Sequence, residues 1–263
     1  MNLLLLEPNE IKSDGTVCLR DRRSRHIVRI LGLGPGDTVK TGIINGSTGR
    51  GEIVSVRGSD RNPEVVLRFF TGDRLPELPP VDLVMGLVRP IMLKRILAQA
   101  ASLGVGRIYL INGSRVEKSF FEASLLKEDN YRSYLLQGLE QAKDTFLPQV
   151  SIHARFRPFV EDFIPTVAQN YSGLLVAHPE GGLNIRDSIG PGFAGRILLA
   201  VGPEGGWVEF ELEKFAAQSF RPVSLGRRVL RTDTAVVALL AQLMLLREER
   251  GRDGTPVPAV GSG

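Results

Sequence analysis

Apolar and polar positions follow two rhythms along this chain, and the change falls at RLPELPP (residues 74–80). Before it come short segments in which apolar and polar residues alternate: LLLLE, TVCLR, DTVKTGII, GRGEIVSVR and PEVVLRFF. Alternation with a period of two marks half-buried strands. Turn signals such as GLGPGD and NGSTG separate them, so residues 1–73 are predicted to form a small β-barrel. One stretch, RSRHIVRILG, spaces Ile27, Ile30 and Leu31 as a helix does and predicts a short helical interruption.

After the prolines, apolar runs alternate with amphipathic stretches. VDLVMGLV, RIYLING, SIHARF, GLLVAHP, RILLAVGPEGG and RPVSLG read as strands. IMLKRILAQAASLG, residues 127–143, residues 158–168, VEFELEKFAAQ and TDTAVVALLAQLMLLREE read as helices. Apolar strands alternating with helices predict an α/β domain over residues 81–249, with a mostly parallel sheet and helices on both faces. Three prolines in seven residues make 74–80 a stiff linker. Residues 250–263, rich in Gly, Pro and Ser, read as a disordered tail. The last helix is apolar on most of its surface, so either the sheet or another subunit has to cover it.

Composition narrows the class. With 43% hydrophobic and 24% charged residues the chain is an ordinary globular protein. No apolar run reaches the ~18–20 residues a membrane span needs. The opening MNLLLLEPNE lacks a basic leader and reads as a strand rather than a signal peptide. A single cysteine, Cys18, excludes an intrachain disulfide and fits a reducing, cytoplasmic setting. Net charge is only +4, yet residues 19–29 carry Arg20, Arg22, Arg23, Arg25 and Arg29 against Asp21. Guanidinium forks grip phosphates, so this stretch is either an RNA-facing surface or a solvated basic face.

Two segments carry the candidate chemistry: VGPEGG (residues 201–206) and LGRRVLRTDTA (residues 225–235). Each begins where an apolar strand stops and leads into a helical stretch. Such strand-to-helix loops hold small polar ligands at the carboxyl ends of parallel strands. Gly202, Gly205 and Gly206 let backbone approach a ligand, Pro203 stiffens the turn and Glu204 is a lone carboxylate on it. The spacing matches neither G-x-G-x-x-G nor a P-loop, and by spacing alone a plain turn stays open. In the second segment Thr232 and Asp233 suit a helix N-terminus as plain capping. Capping does not account for Arg231, because a cation there opposes the helix dipole. Arg227, Arg228 and Arg231 point to anion recognition. The three histidines, His26, His153 and His178, have no metal spacing. His178 ends a strand and can reach a pocket mouth or serve as an ordinary strand-end residue.

Together these segments resemble the RsmE family, the 16S rRNA uridine-N3 methyltransferases of the SPOUT superfamily. The likeness rests on GPEGG followed by LG-x-R-x-LRT-[DE]-TA, both present here, with support from HIVRILGLGPGD, LGV and LLVAHPEG. It implies a PUA-like RNA-binding barrel, a SPOUT domain with a deep trefoil knot, and a homodimer acting on ribosomal RNA or the small ribosomal subunit. It implies S-adenosylmethionine as methyl donor and no metal. Carried over position by position, the cofactor walls are Ala177, His178, Pro179, Val201, Gly202, Pro203, Glu204, Gly205, Leu225, Gly226, Val229 and Leu230. Arg231 would stabilise the uracil anion, and Glu204 or Asp233 would take the N3 proton. The arginines of residues 19–29 would dock RNA. Gly32 and Ser102 stand where the family carries Arg and Glu. This leaves the same methyl transfer at another RNA site, or a non-catalytic knotted RNA-binding protein, as alternatives.

Overall fold

A computed structural model describes residues 2–59, 61–180, 182–189 and 195–253. The chain divides into two compact units: Met1–Leu78 with Arg132–Leu147, and Pro79–Tyr131 with Pro148–Gly263.

The first unit is a five-stranded mixed sheet in the order β1-β3-β4-β5-β2, from β1 (Leu4–Leu6), β2 (Thr16–Leu19), β3 (Thr38–Ile43), β4 (Thr48–Ser59) and β5 (Asn62–Thr71). β1 pairs with β3 in parallel and the other ladders are antiparallel. Leu6, Val17, Leu19, Ile27, Ile53, Val65 and Leu67 form its core, as the period-two pattern requires. The expected β-barrel takes the form of a curled half-barrel sheet, with β1 and β2 as its unpaired edges. Arg23, on the short helix Arg22–Arg25, lies at the β1 edge. Its guanidinium donates to the Leu5 carbonyl at 2.8 Å and binds Glu10 and Asp21. An ion-pair cluster therefore takes the strand edge that a closing ladder would use. The expected boundary at residue 73 also shifts. Residues 132–147 belong to this unit, where the Glu140 carbonyl accepts from Asn2 and Leu3, and its carboxylate takes both Nη1 and Nη2 of Arg22.

The second unit is a six-stranded parallel sheet in the order β11-β9-β10-β6-β7-β8. The strands are β6 (Val81–Gly86), β7 (Val105–Ile111), β8 (Gln149–His153), β9 (Gly173–Ala177), β10 (Ile197–Val201) and β11 (Arg221–Val223). β6 and β10 are buried along their whole length, which explains their unbroken apolar sequence. Val84, Leu198 and Ala200 face a cluster with Phe159, Trp207 and Phe215. Residues between them turn to the opposite face, where helix α1 (Pro90–Ser102) packs on the last helix, α3 (Thr232–Asp253); α2 (Glu209–Ala217) brings Phe215 to the first face. The helix expected at 158–168 is present within one continuous helical run from Phe156 to Asn170, with a π-helical stretch at Phe159–Phe163. Pro158 and Pro165 each lack the N–H that a regular ladder needs. The last helix runs four residues past its expected end, to Asp253, and the rest of the expected tail, 254–263, lies outside the described residues.

Asp82, fully buried on β6, would be costly alone. Arg196 Nη2 donates to both of its oxygens at 2.7 Å, Tyr171 Oη at 2.5 Å and the Arg107 N–H at 2.8 Å. This network ties the amino-terminal ends of the strands and leaves their carboxyl ends to carry the site.

Candidate active site

Three neighbouring strands, β11, β9 and β10, end side by side, and their following loops enclose one pocket. Counting its open mouth the pocket holds about 730 Å³, the scale of a small-molecule site. Past β9, the His178 N–H still donates to Val223 O at 3.0 Å, so the ladder carries His178 to the pocket edge. His178 Nδ1 is buried without a hydrogen-bond partner. An orphaned buried polar atom is costly, and this one belongs to a residue of the pocket wall. Past β10, the Pro203 carbonyl accepts from the Gly206 N–H at 2.8 Å and folds GPEGG into a tight turn. Past β11, Ser224 Oγ accepts from the Gly226 N–H at 3.1 Å, and Gly226 takes φ +102°, a conformation other residues rarely adopt.

All the residues expected as cofactor walls line this pocket: Ala177–Pro179, Val201–Gly205, Leu225, Gly226, Val229 and Leu230. Gly206, Val223, Arg228, Thr232, Ala235 and Leu239 complete it, so Arg228 brings a guanidinium to the wall. Ala235 and Leu239 lie four apart at the start of α3, a helical spacing that the sequence also shows. Among the described residues no cluster of three metal-ligating side chains occurs.

The expected catalytic residues are placed differently from one another. Glu204 lines the pocket, and its Oε1 accepts from the Arg89 N–H at 3.2 Å and pairs with Arg89 Nε at 3.2 Å. Arg89 caps α1, so this carboxylate sits at a helix N-terminus, where negative charge is favoured. Arg231 and Asp233 are outside the lining. The Arg231 side chain is 68% exposed at the rim with Nε 3.6 Å from Asp233 Oδ1, and Asp233 also lies 3.8 Å from Arg95 Nη1. The first helical residue is Thr232, so the capping position belongs to Arg231, one residue earlier than expected; its carbonyl accepts from the Ala235 N–H at 2.8 Å. Arg227 and Arg228 are exposed on the same loop.

Four residues here carried no signal in the sequence. Arg89 and Arg95 meet the two carboxylates. Arg115, after β7, donates to Gly205 O and packs its stem on that glycine. Gly86, at the end of β6, lies so close to the GPEGG turn that a Cβ there would be 2.5 Å from Pro203 Cδ.

The sequence pattern of a family described as "RNA methyltransferase domain" matches residues 76–244. Ribosomal RNA small subunit methyltransferase E of Treponema pallidum is 34% identical over 248 residues, covering 93% of this chain and 91% of that protein. The chain belongs to this family of RNA methyltransferases. Ribosomal RNA small subunit methyltransferase E 1 of Borreliella burgdorferi is 29% identical over 90% of this chain and 95% of its own length. A crystal structure of ribosomal RNA small subunit methyltransferase E from Neisseria gonorrhoeae bound to S-adenosyl methionine superposes with a TM-score of 0.74. It covers 94% of this chain and 98% of that one at 22% identity, and speaks for the fold.

The arginines expected to dock RNA are not equivalent. Arg23 is spent inside its unit and is no docking residue: its side chain is 12% exposed. Burial alone would raise the Glu10 carboxyl; the Arg23 and Glu7 hydrogen bonds outweigh it and hold it below the usual carboxylate range. Arg20 pairs with Glu64 and Arg22 with Glu140, each from an exposed position, while Arg25 and Arg29 are exposed.

Proposed function

We propose that this protein transfers a methyl group from S-adenosylmethionine to N3 of a uridine in 16S ribosomal RNA. The observation that carries the reading is the convergence of three strand-end loops on one pocket whose wall holds the orphaned Nδ1 of His178, in a chain of this family. The residues present suit the donor. Val201, Leu225, Leu230 and Leu239 offer apolar walls for an adenine, and the glycine-bearing turns and His178 offer polar atoms for its charged end. When bound, the donor supplies an electrophilic sulfonium methyl.

The protein's own task is the uracil. Its N3 is a poor nucleophile while protonated, so a base has to take the proton and a cation has to stabilise the anion shared by O2 and O4. We assign the cation to Arg231. Glu204, the carboxylate in the pocket wall, accepts the proton. Asp233, held between Arg95 and Arg231, orients the Arg231 guanidinium. The target base has to leave its stack to reach the pocket. Arg20, Arg22, Arg25 and Arg29 dock RNA on the first unit, which takes the PUA-like role.

The same reading includes a trefoil knot, a homodimer and a cytoplasmic setting. For the knot, the chain leaving β10 returns past β9 to form β11, where Val223 bridges Leu183 and the Ser224 N–H donates to Leu183 O at 3.0 Å. The end of β11 is thus held between β9 and the β9–β10 connection. For the dimer, Val237, Ala241 and Leu245 recur every fourth residue on the outer side of α3, and Leu245 is 55% exposed. No helix among the described residues is long and apolar enough to cross a membrane.

Deleting the gene and mapping modified nucleosides in 16S rRNA by mass spectrometry tests the target. N3-methyluridine should disappear and return on complementation, and an unchanged signal refutes the target. Calorimetry with purified protein tests the chemistry, since absence of S-adenosylmethionine binding refutes the enzyme reading itself.

A further inference from the structure

A second cleft opens at the carboxyl ends of β7 and β8, at the same end of the strands as the pocket but toward the opposite edge of the sheet. Counting its open mouth it holds about 950 Å³. We infer that it holds a nucleotide of the RNA strand flanking the methylated base, which rests on the RNA-methylating function proposed above.

The chemistry of the walls carries this. Phe210, at the start of α2, is 42% exposed, and Phe156 lies 6.5 Å from it, ring centre to ring centre. Phe210 and Phe156 thus offer aromatic faces on which a base can stack. Arg155, immediately after Ala154, is exposed and makes no ion pair among the described residues. The other cations nearby are committed: Arg157 and Lys214 share Glu161 at 3.3 and 2.6 Å. Lys214 also sits 5.5 Å from the Phe210 ring centre. Asp162, exposed at the rim, leaves an acceptor for a base amino group. Stacking faces beside an uncommitted guanidinium are what single-stranded nucleic acid uses.

Position makes the cleft part of the same machine. From β10 to β8 is three strand spacings, about 14 Å, which spans about four stacked nucleotides or fewer splayed ones. The intervening loop is tied to the cofactor turn on both sides. Arg115 donates to Gly205 O, and buried Glu211 accepts from the Ser114 N–H at 2.7 Å and the Val208 N–H at 2.9 Å.

The test uses full-length protein carrying Arg155→Ala, Phe210→Ala or both, assayed with small ribosomal subunits from the deletion strain. Each substitution should raise KM for the subunit about tenfold. S-adenosylmethionine affinity and kcat should stay within about twofold, and Phe210→Trp should restore KM because it keeps a stacking face. Wild-type KM in both alanine variants overturns the inference. If wild-type protein fails to methylate the subunits, the proposed function falls. The cleft is then judged by anisotropy with a short mixed-sequence single-stranded oligoribonucleotide: weaker binding by the variants supports it, and unchanged binding overturns it and leaves the cleft to a protein contact.

Discussion

Gly86→Ala tests whether the end of β6 seats the GPEGG turn. The added Cβ would stand 2.5 Å from Pro203 Cδ and 2.7 Å from Pro203 N, where ordinary contact begins at 3.4 Å. Both neighbours belong to a stiff proline, so the turn has to move about 0.9 Å, or β6 has to. Overpacking of this kind costs about 1–3 kcal/mol. At about 2–4 °C per kcal/mol for a domain of this size, melting should fall by about 2–12 °C. The functional effect should be larger. Glu204 and Gly205 ride on the displaced turn, and misplacement by ~1 Å can cost up to about 10²-fold. We therefore expect S-adenosylmethionine affinity, measured by calorimetry, to fall about 10- to 100-fold. Gly34→Ala is the control: nothing lies within 4 Å of its added Cβ and it should change neither quantity. Wild-type affinity together with wild-type melting in Gly86→Ala would refute the idea that this glycine seats the turn.

Other substitutions separate the roles proposed for the site. Arg231→Ala should abolish methyl incorporation while leaving the melting temperature within about 1 °C, since among the described residues its exposed side chain pairs only with Asp233, at 3.6 Å; normal turnover would remove it from the mechanism. Glu204→Gln should lower kcat at least tenfold; wild-type kcat would exclude Glu204 as the proton acceptor. His178→Ala should weaken S-adenosylmethionine binding about 5- to 20-fold by deleting the orphaned nitrogen, and unchanged calorimetry would count against that contact. In the first unit, Asp21 is held low like Glu10, with burial opposing and the Arg23 hydrogen bonds prevailing. Because both folded carboxyls titrate lower than in the unfolded chain, their stabilisation is present above about pH 4 and drains as pH falls below it. Arg23→Met should cost about 2–3 kcal/mol at neutral pH and weaken that acid dependence; identical melting curves for both proteins between pH 3 and 6 would show that the cluster does not hold the sheet edge.

Local patterning determined a good deal here. Period-two alternation located the strands of the first unit, and the swing between apolar runs and helical spacing gave an α/β unit with a parallel sheet. The two glycine-bearing loops marked where a ligand pocket would open, because strand ends and turn chemistry are written in neighbouring residues. The resemblance sharpened that to twelve wall positions, all of which line one pocket. Pairing over long separations was invisible to such reading. Glu204 meets Arg89 across 115 residues, Arg22 meets Glu140 across 118, and Gly86 abuts Pro203 from a different strand. The contact of Arg22 with Glu140 is one of those that join residues 132–147 to the first unit, and the contacts at Glu204 and Gly86 fix where the GPEGG turn sits. Periodicity reports which face of an element is buried; which side chain it meets depends on the order in which strands assemble, and that order is a property of the whole chain.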